Sequence, residues 1–298
     1  MLAIRLKILL IHLQEVRTFF RFPRWLTFNG DGRRVILYGI PYADWNATLS
    51  DRGLWSKVPG IGQVHRLPAT PFGSRARAAD VVIAMKTSHV VRRPGGRALE
   101  PTALALATLG DKAKFAAYMA ANGFGDYCPR TYLDRHEAVF PCVLKRLDLS
   151  ASLGVAIAQS AKHLGELLQT RAFEGHPYVL QALVQGNVEH ATYCVCKDGR
   201  VSWSRSFATD MGSPAAIKRE DNAVRRQAVD TPDAVLRQLE TVLRPLAFSG
   251  PCNVDYKLTD DGRVQIFEIN PRLGGTLMLP AQAAELRAAL ACIIEQAS

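Results

Sequence analysis

Short apolar runs alternate with polar and turn-rich stretches along the whole chain of 298 residues. In the first third, residues 34–40 and 79–85 are almost continuously apolar. Strands that are buried on both faces of a parallel sheet have this pattern, so we predict two parallel strands in an α/β lobe. The stretch Val58-Pro59-Gly60-Ile61-Gly62 lies between them, and its glycines and proline predict a loop.

An Ala- and Leu-rich helical pattern covers residues 101–122 and is interrupted by Asp111-Lys112. Asp is a favoured N-cap residue, so we predict two helices, the second beginning at Asp111 and ending before Gly123. Beyond them, predicted strands cover residues 141–145, 155–158, 178–184, 190–196 and 201–207, and predicted helices cover residues 161–170 and 231–246. This order predicts an α/β region followed by an α+β region.

A hairpin near the C-terminus carries the clearest chemistry of the sequence. Two alternating apolar runs, residues 252–258 and 265–270, flank Asp261-Gly262. Asp-Gly suits a two-residue type I′ turn, which would fix the register of the two strands. This turn predicts three opposed pairs: Asp255 with Glu268, Lys257 with Ile266, and Asn253 with Asn270.

Because side chains alternate across a strand, Asp255, Glu268 and Asn270 would project from one face of the hairpin. Two carboxylates opposed within roughly 5 Å repel each other unless a positive charge lies between them. Mg²⁺, which prefers oxygen ligands, fits this position. Arg272, just past the strand, would add a donor fork for a phosphate or carboxylate. A solvated acidic face is the alternative at this point.

Composition narrows the class of ligand. The chain has a formal net charge of +10, which suits anionic ligands such as nucleotides or carboxylates. It has no run of basic residues interleaved with aromatic residues, so we expect no nucleic-acid partner. The six cysteines are dispersed without a Cys-x-x-Cys pair. We therefore expect reduced thiols in a cytoplasmic protein.

The N-terminal segment, residues 2–13, is strongly apolar but contains Arg5, Lys7 and His12. It is too short and too interrupted by charge to predict a membrane span. Two interpretations stay open: a basic amphipathic helix at a membrane surface, or a helix or strand packed in the first lobe. We favour the packed element.

Taken together, these residues resemble the ATP-grasp superfamily of carboxylate–amine ligases, in particular the ATP-binding regions of carbamoyl-phosphate synthase and biotin carboxylase. The resemblance covers roughly residues 108–276, and its most specific part is Glu268-Ile269-Asn270-Pro271-Arg272 paired with Asp255. It implies an ATP-grasp fold, with mixed α/β and α+β architecture, behind an N-terminal α/β lobe. The implied divisions are an N-terminal lobe at 1–100, a small lobe with linker helices and a phosphate lid at 101–184, and a large lobe at 185–298.

The resemblance also implies which residues bind the nucleotide. It places two lysines, Lys112 and Lys145, at the ATP phosphates, where a point charge is physically sensible. The loop 146–154 would be the phosphate lid, through Ser150, Ser152 and Gly154, although the family usually has glycines where the two serines stand. The segment Gln181-Ala182-Leu183-Val184 would read adenine, mainly through its backbone. Glu189 would bind the ribose hydroxyls.

The activity implied by the resemblance is the ATP-dependent ligation of a small-molecule carboxylate to an amine through an acyl phosphate. Asp255, Glu268 and Asn270 would hold Mg²⁺, two ions being expected and Mn²⁺ being an acceptable substitute. Arg272 would stabilise the acyl phosphate, and Arg205 would grip a phosphate or a substrate carboxylate. The partners expected are small molecules, and a homodimer is compatible with the sequence. The alternatives are kinase-like phosphoryl transfer and a nucleotide-binding module without turnover.

Overall fold

The structure is a computed structural model that describes residues 2–28, 32–69, 76–90, 95–149, 154–213 and 225–297. Its strands form three sheets that follow one another along the chain. The first sheet falls within 1–100, the second within 101–184 and the third within 185–298. The three-part division of the chain itself stays a prediction.

The first sheet has the strand order β1-β3-β2-β4. Its strands are β1 (Trp25–Thr27), β2 (Arg33–Tyr38), β3 (Ile61–Leu67) and β4 (Val81–Ala84). β2 runs parallel to β3 and to β4, so the predicted parallel pair is confirmed. The helices around this sheet are α1 (Leu2–Arg21), α2 (Trp45–Leu49), α3 (Arg52–Trp55) and α4 (Thr87–Val90).

The loop predicted at residues 58–62 is wrong at its end, because β3 begins at Ile61. Gly62 lies against the backbone of Gly32, and a Cβ atom at position 62 would be only 2.6 Å from the Gly32 carbonyl oxygen. The glycine therefore permits two backbones to approach closely within the sheet, a role that its turn-forming tendency conceals.

The second sheet is antiparallel, with the strand order β5-β8-β6-β7. Its strands are β5 (Thr131–Tyr132), β6 (Cys142–Arg146), β7 (Val155–Ala158) and β8 (Tyr178–Ala182). Helix α7 (Ala161–Leu168) packs on it through Leu164. Two helices precede this sheet in sequence, α5 (Ala103–Leu109) and α6 (Lys112–Ala121), and the N-cap Asp111 accepts hydrogen bonds from the backbone N–H groups of Ala113 and Lys114, as predicted.

The third sheet is antiparallel and has the order β11-β10-β9-β12-β13. Its strands are β9 (Val188–Lys197), β10 (Arg200–Asp210), β11 (Arg225–Val229), β12 (Gly250–Leu258) and β13 (Val264–Asn270). One face packs against α8 (Asp233–Leu243) and against α5 and α6. The opposite face packs at one end against α9 (Ala283–Gln296) and the first sheet. The helices α5 and α6 thus pack on the third sheet, although their sequence precedes the second.

Helix α1 is only partly packed. Phe19 and Glu15 are buried, but every residue from Leu9 to Gln14 is exposed. The packing that we favoured for residues 2–13 is therefore wrong for residues 9–13, and the helix packs through residues that follow this segment. Within the described parts of the chain, no helix is both long and apolar enough to cross a membrane.

Candidate functional site

The hairpin β12–β13 brings its polar residues together as the sequence predicts. Asp255 lies opposite Glu268, and Asn253 lies opposite Asn270. The third predicted pair is wrong, because Lys257 lies opposite Gln265 instead of Ile266.

The reason is in the turn. The backbone N–H of Thr259 donates to the carbonyl of Arg263 at 2.9 Å, which leaves a three-residue loop, and Gly262 in that loop has a φ of 78°. A loop one residue longer than predicted moves the nearby register by one residue. A β-bulge then places Phe267 as an extra residue on β13, and the bulge restores the predicted pairing at Glu268.

The oxygen-rich face of this hairpin suits a hard divalent cation. The Asn270 side-chain N–H donates to the Glu268 carboxylate at 2.9 Å, and that of Asn253 donates to the Asp255 carboxylate at 3.3 Å. The Asn253 Oδ1 is buried and has no hydrogen-bond partner among the described residues. Two carboxylates with a buried, orphaned amide oxygen beside them form a donor set of the kind that Mg²⁺ prefers.

This donor set is not a cluster of the usual metal-binding side chains. In the described ranges, no group of three or more His, Cys, Asp and Glu side chains is arranged to hold a metal ion. The hairpin supplies two carboxylates, and its further oxygen atoms come from amides. Mg²⁺ commonly uses one or two carboxylates and takes its remaining ligands from water and phosphate. The residues present therefore fit that ion.

Lys145 extends from β6 of the second sheet toward this face. Its Nζ atom lies 5.3 Å from the centre of the Phe267 ring. Burial lowers the pKa of the Lys145 ammonium. Three carboxylates lie close enough to oppose that shift: Glu268, Glu189 and Asp255. The structure therefore gathers the predicted lysine and the predicted acids around one space.

Lys112, the first residue of α6, borders the same space. Its Nζ donates to the carbonyl of Leu149 at 2.5 Å. A cavity of about 300 Å³ is lined by Lys112 together with Phe267, Glu268 and Asn270. Thr87 of the first lobe also lines it. Residues from all three parts of the chain thus surround one cavity that contains the predicted metal face.

The base of the predicted phosphate lid is well ordered by polar contacts. The guanidinium of Arg146 donates two hydrogen bonds to Asp148, at 2.8 and 2.6 Å, and these hold the Asp148 pKa at about 2. The carbonyl of Gly154 accepts from the Arg146 backbone N–H at 2.9 Å. Gly154 thus closes the loop, and its contact with nucleotide stays a prediction. Ser150 and Ser152 lie outside the described residues.

The predicted adenine segment leaves β8 at Ala182. The Gln181 side-chain N–H donates to the Thr131 hydroxyl at 3.3 Å, so this amide is engaged within the second sheet. Ala182 donates its backbone N–H to the Arg130 carbonyl at 2.8 Å. Leu183 and Val184 then pass toward the third sheet, where the Val184 carbonyl accepts a hydrogen bond from Lys257 at 3.3 Å. The backbone recognition of adenine by this segment stays a prediction.

Lys257 is a site residue that the sequence interpretation missed. It is 3% exposed and lies on the same face of β12 as Asp255. Because Tyr256 pairs with His190 on β9, the next residues on the two strands, Lys257 and Glu189, are cross-strand neighbours. Burial lowers the pKa of the Lys257 ammonium, and the Glu189 carboxylate opposes this shift. The alternation from Asp255 to Lys257 was a signal available in the sequence.

Arg272 faces the first lobe. Its Nη1 donates to the carbonyl of Leu273 at 2.8 Å, and its guanidinium carbon lies 5.7 Å from the centre of the Tyr42 ring. The Nζ of Lys86 lies 4.5 Å from the same ring and 2.8 Å from the Glu15 carboxylate. Tyr42 and Lys86 therefore bring the first lobe to the predicted catalytic arginine. Nothing in their local sequence marked them in advance.

Arg205 has other partners. Its guanidinium lies 2.6 Å from Asp230 and 3.2 Å from Glu285 of α9. Through these ion pairs, Arg205 of β10 connects to the segment after β11 and to α9. The structure therefore gives Arg205 a structural role, and the contact with phosphate or substrate that we predicted gains no support from it.

Comparisons with known proteins agree with this architecture. A family model described as "ATP-grasp in the biosynthetic pathway with Ter operon" matches residues 207–292. A comparison of the sequence with curated proteins gives no match. Among solved structures, D-alanine–D-alanine ligase from Bacillus anthracis in complex with ATP is 16% identical, with a TM-score of 0.60 over 90% of this chain and 97% of that one.

Two further solved structures have the same fold. L-amino acid ligase from Bacillus licheniformis is 13% identical, with a TM-score of 0.58 over 90% of this chain and 75% of that chain. Carboxyaminoimidazole ribonucleotide synthase from Aspergillus clavatus, in complex with ATP, is 16% identical, with a TM-score of 0.55 over 82% and 71%. The chain therefore has the ATP-grasp fold. The resemblance to the ATP-grasp superfamily that its hairpin motif predicted is confirmed.

Proposed function

We propose that this protein is an ATP-dependent ligase that joins a small-molecule carboxylate to an amine and releases ADP and phosphate. One observation carries the proposal: Lys112 and Glu268 line a single cavity, Asp255 lies opposite Glu268 on the hairpin, and the Lys145 ammonium interacts with both carboxylates, although these residues come from different parts of the chain. Cationic side chains beside an oxygen-rich metal face are the arrangement that phosphoryl transfer needs.

The chain's own residues would divide the work between binding and charge stabilisation. Lys112 and Lys145 would hold the phosphates of ATP in line with the substrate carboxylate. Asp255, Glu268 and Asn270 would hold Mg²⁺, and Asn253 would add its amide oxygen. Bound Mg²⁺ would neutralise charge on the phosphates during transfer. Arg272 would stabilise the acyl phosphate and its attack by the amine.

The substrate side of the proposal rests on the first lobe and on the structural neighbours. Tyr42 and Lys86 place the first lobe beside Arg272, and the cavity is of a size for small molecules. The structural neighbours include ligases of amino acids, and two of these neighbours were solved in complex with ATP. We therefore propose amino-acid-like carboxylates and amines. All six cysteines are free thiols, which supports a reducing compartment, and we propose the cytoplasm.

The decisive test is Glu268→Gln, which removes one charge from the metal face and keeps its shape. Phosphate release from ATP is measured with amino acids offered singly and in pairs. We expect the variant to lose roughly 100-fold or more of the wild-type rate, because the phosphates lose a charged metal ligand. Glu295→Gln, the same substitution at an exposed position of α9, is the matched control and should keep the wild-type rate.

The same assay separates the alternatives. A Glu268→Gln variant that keeps full activity while folded, by circular dichroism, contradicts the proposed function. Product analysis by mass spectrometry should show an amide; a phosphorylated acceptor would instead indicate kinase-like transfer. ATP binding without phosphate release over the whole substrate set would indicate a nucleotide-binding module.

A further inference from the structure

Helix α1 and the strand after it expose an unusual set of apolar side chains. Six large ones are 41–62% exposed: Leu9, Leu10, Ile11, Leu13, Phe20 and Trp25. Single exposed apolar residues are ordinary on a protein surface, but several large ones on one helix and on the strand that follows it indicate an interaction surface. None of these residues belongs to the cavity described above.

The end of the helix holds this group away from the rest of the chain. Phe19 is fully buried, and the guanidinium of Arg66 lies 4.7 Å from its ring. Glu15 is buried in its ion pair with Lys86. The helix is therefore anchored at its last turns, and the stretch from Leu9 to Gln14 extends past the edge of the lobe with every residue exposed.

The exposed charged side chains in the described part of α1, and Arg24 just after it, are positive. Arg17, Arg21 and Arg24 are exposed near the apolar group, whereas the acidic residue of the helix, Glu15, is buried and paired. A surface that is apolar and cationic, without an exposed acid, is complementary to a layer that is apolar and anionic.

A second copy of the chain fits this surface less well. Two α1 helices packed face to face would bring the arginines of both copies together, and the described part of the helix offers no exposed acid to pair with them. Like charges along a helix pair destabilise it. An anionic bilayer satisfies both the apolar and the cationic side chains at once.

We propose that residues 9–21 of α1 and Trp25 form a docking surface for membranes with anionic headgroups. The leucines and isoleucine would enter the boundary between headgroups and acyl chains, where Phe20 and Trp25 suit the interface. The arginines would contact lipid phosphates. The protein would thus work at the membrane surface, held by a helix that lies on the bilayer instead of crossing it.

The test uses the full chain and two kinds of vesicle: phosphatidylcholine alone, and phosphatidylcholine with about one-third phosphatidylglycerol. We expect flotation with the anionic vesicles, at least roughly tenfold weaker binding to the neutral ones, and loss of binding at high salt. The double variant Leu9→Glu with Leu13→Glu should lower the affinity at least roughly tenfold, because it removes two apolar side chains that would enter the bilayer and adds charges that the anionic lipids repel. Leu133→Glu is the matched control, since Leu133 is 98% exposed elsewhere on the surface.

Wild-type protein that fails to float with anionic vesicles overturns the proposal, as does a Leu9/Leu13 double variant that binds like the wild type while folded. Light scattering measures the oligomeric state and tests the remaining alternative. A dimer that the same double variant converts to a monomer, with no vesicle binding, would assign this surface to a second copy and overturn the proposal. None of these results depends on whether the protein is a ligase.

Discussion

The two faces of the β12–β13 hairpin differ sharply, although they are built from the same short stretches of sequence. One face carries Asp255, Lys257, Glu268 and Asn270, and the last two of these line the candidate cavity. The other consists of side chains that are at most 1% exposed: Val254, Tyr256, Ile266 and Ile269. Because successive side chains point to opposite faces of a strand, neighbouring residues can serve the candidate site and the core in turn. Each face can be altered with little direct effect on the other.

The buried face continues across the sheet and contains a small network of hydroxyl groups. The Thr192 hydroxyl lies 2.5 Å from that of Ser206 and donates to the Tyr256 hydroxyl at 3.2 Å. The thiols of Cys194 and Cys252 lie on paired residues of β9 and β12. Because these hydroxyl groups are buried and hydrogen-bonded to one another among apolar side chains, this face is a source of stability.

The largest expected effect is on the buried face. Ile266→Ala removes a fully buried side chain from the core between the sheet and α8, and should lower the free energy of unfolding by about 2–5 kcal/mol. Urea unfolding followed by circular dichroism measures this loss. Below the unfolding transition, the variant should still bind ATP with nearly the wild-type affinity. A loss of affinity in the folded variant would show that the two faces are not separable.

The sequence predicts the candidate site better than it predicts the turn that builds it. Asp-Gly predicted a two-residue turn, but the loop has three residues, which moves the register near the turn by one residue. The bulge at Phe267 moves it back before Glu268. The predicted pairing of Asp255 with Glu268 is therefore correct, although the structure reaches it through a different turn. Turn length depends on local hydrogen bonds that propensity alone does not fix.

Other parts of the site were not predictable from local patterns. Tyr42 and Lys86 reach Arg272 through the packing of the first lobe against the third sheet, a contact between residues far apart in sequence. Fold class and the metal face follow from periodicity and motif, whereas contacts between lobes follow from tertiary packing.

The next largest effect is on ATP affinity and concerns Lys257, which donates a hydrogen bond from the site face of the hairpin to the predicted adenine segment. Lys257→Met should lower ATP affinity roughly tenfold, because the Val184 carbonyl loses a charged donor and Glu189 loses its cross-strand neighbour. If Glu189 contacts the ribose, the preference for ATP over 2′-deoxy-ATP should also shrink. Calorimetric titration with both nucleotides measures the two effects.

Lys197→Met is the control for that variant, since Lys197 lies exposed at the end of β9. It should bind both nucleotides as the wild type does. A Lys257→Met variant with unchanged affinity and unchanged preference would place Lys257 outside the nucleotide site and leave its hydrogen bond to Val184 a purely structural one.

The smallest expected effect is on the stability of Glu268→Gln without metal. The substitution removes the repulsion between the opposed carboxylates of Asp255 and Glu268, and this removal stabilises the fold. It also removes the attraction between Glu268 and Lys145, and this loss destabilises the fold. The two terms offset each other, so the free energy of unfolding should stay within about 0.5 kcal/mol of the wild type.

Mg²⁺ with ATP should then raise the melting temperature of the wild type and leave that of the variant nearly unchanged, because only the wild type binds the ion well. Thermal unfolding with and without Mg²⁺ and ATP measures both the metal-free stability and the shift in melting temperature. A large loss of stability in the metal-free variant would mean that Glu268 serves packing as well as chemistry, and the separation of the two faces would fail at this residue.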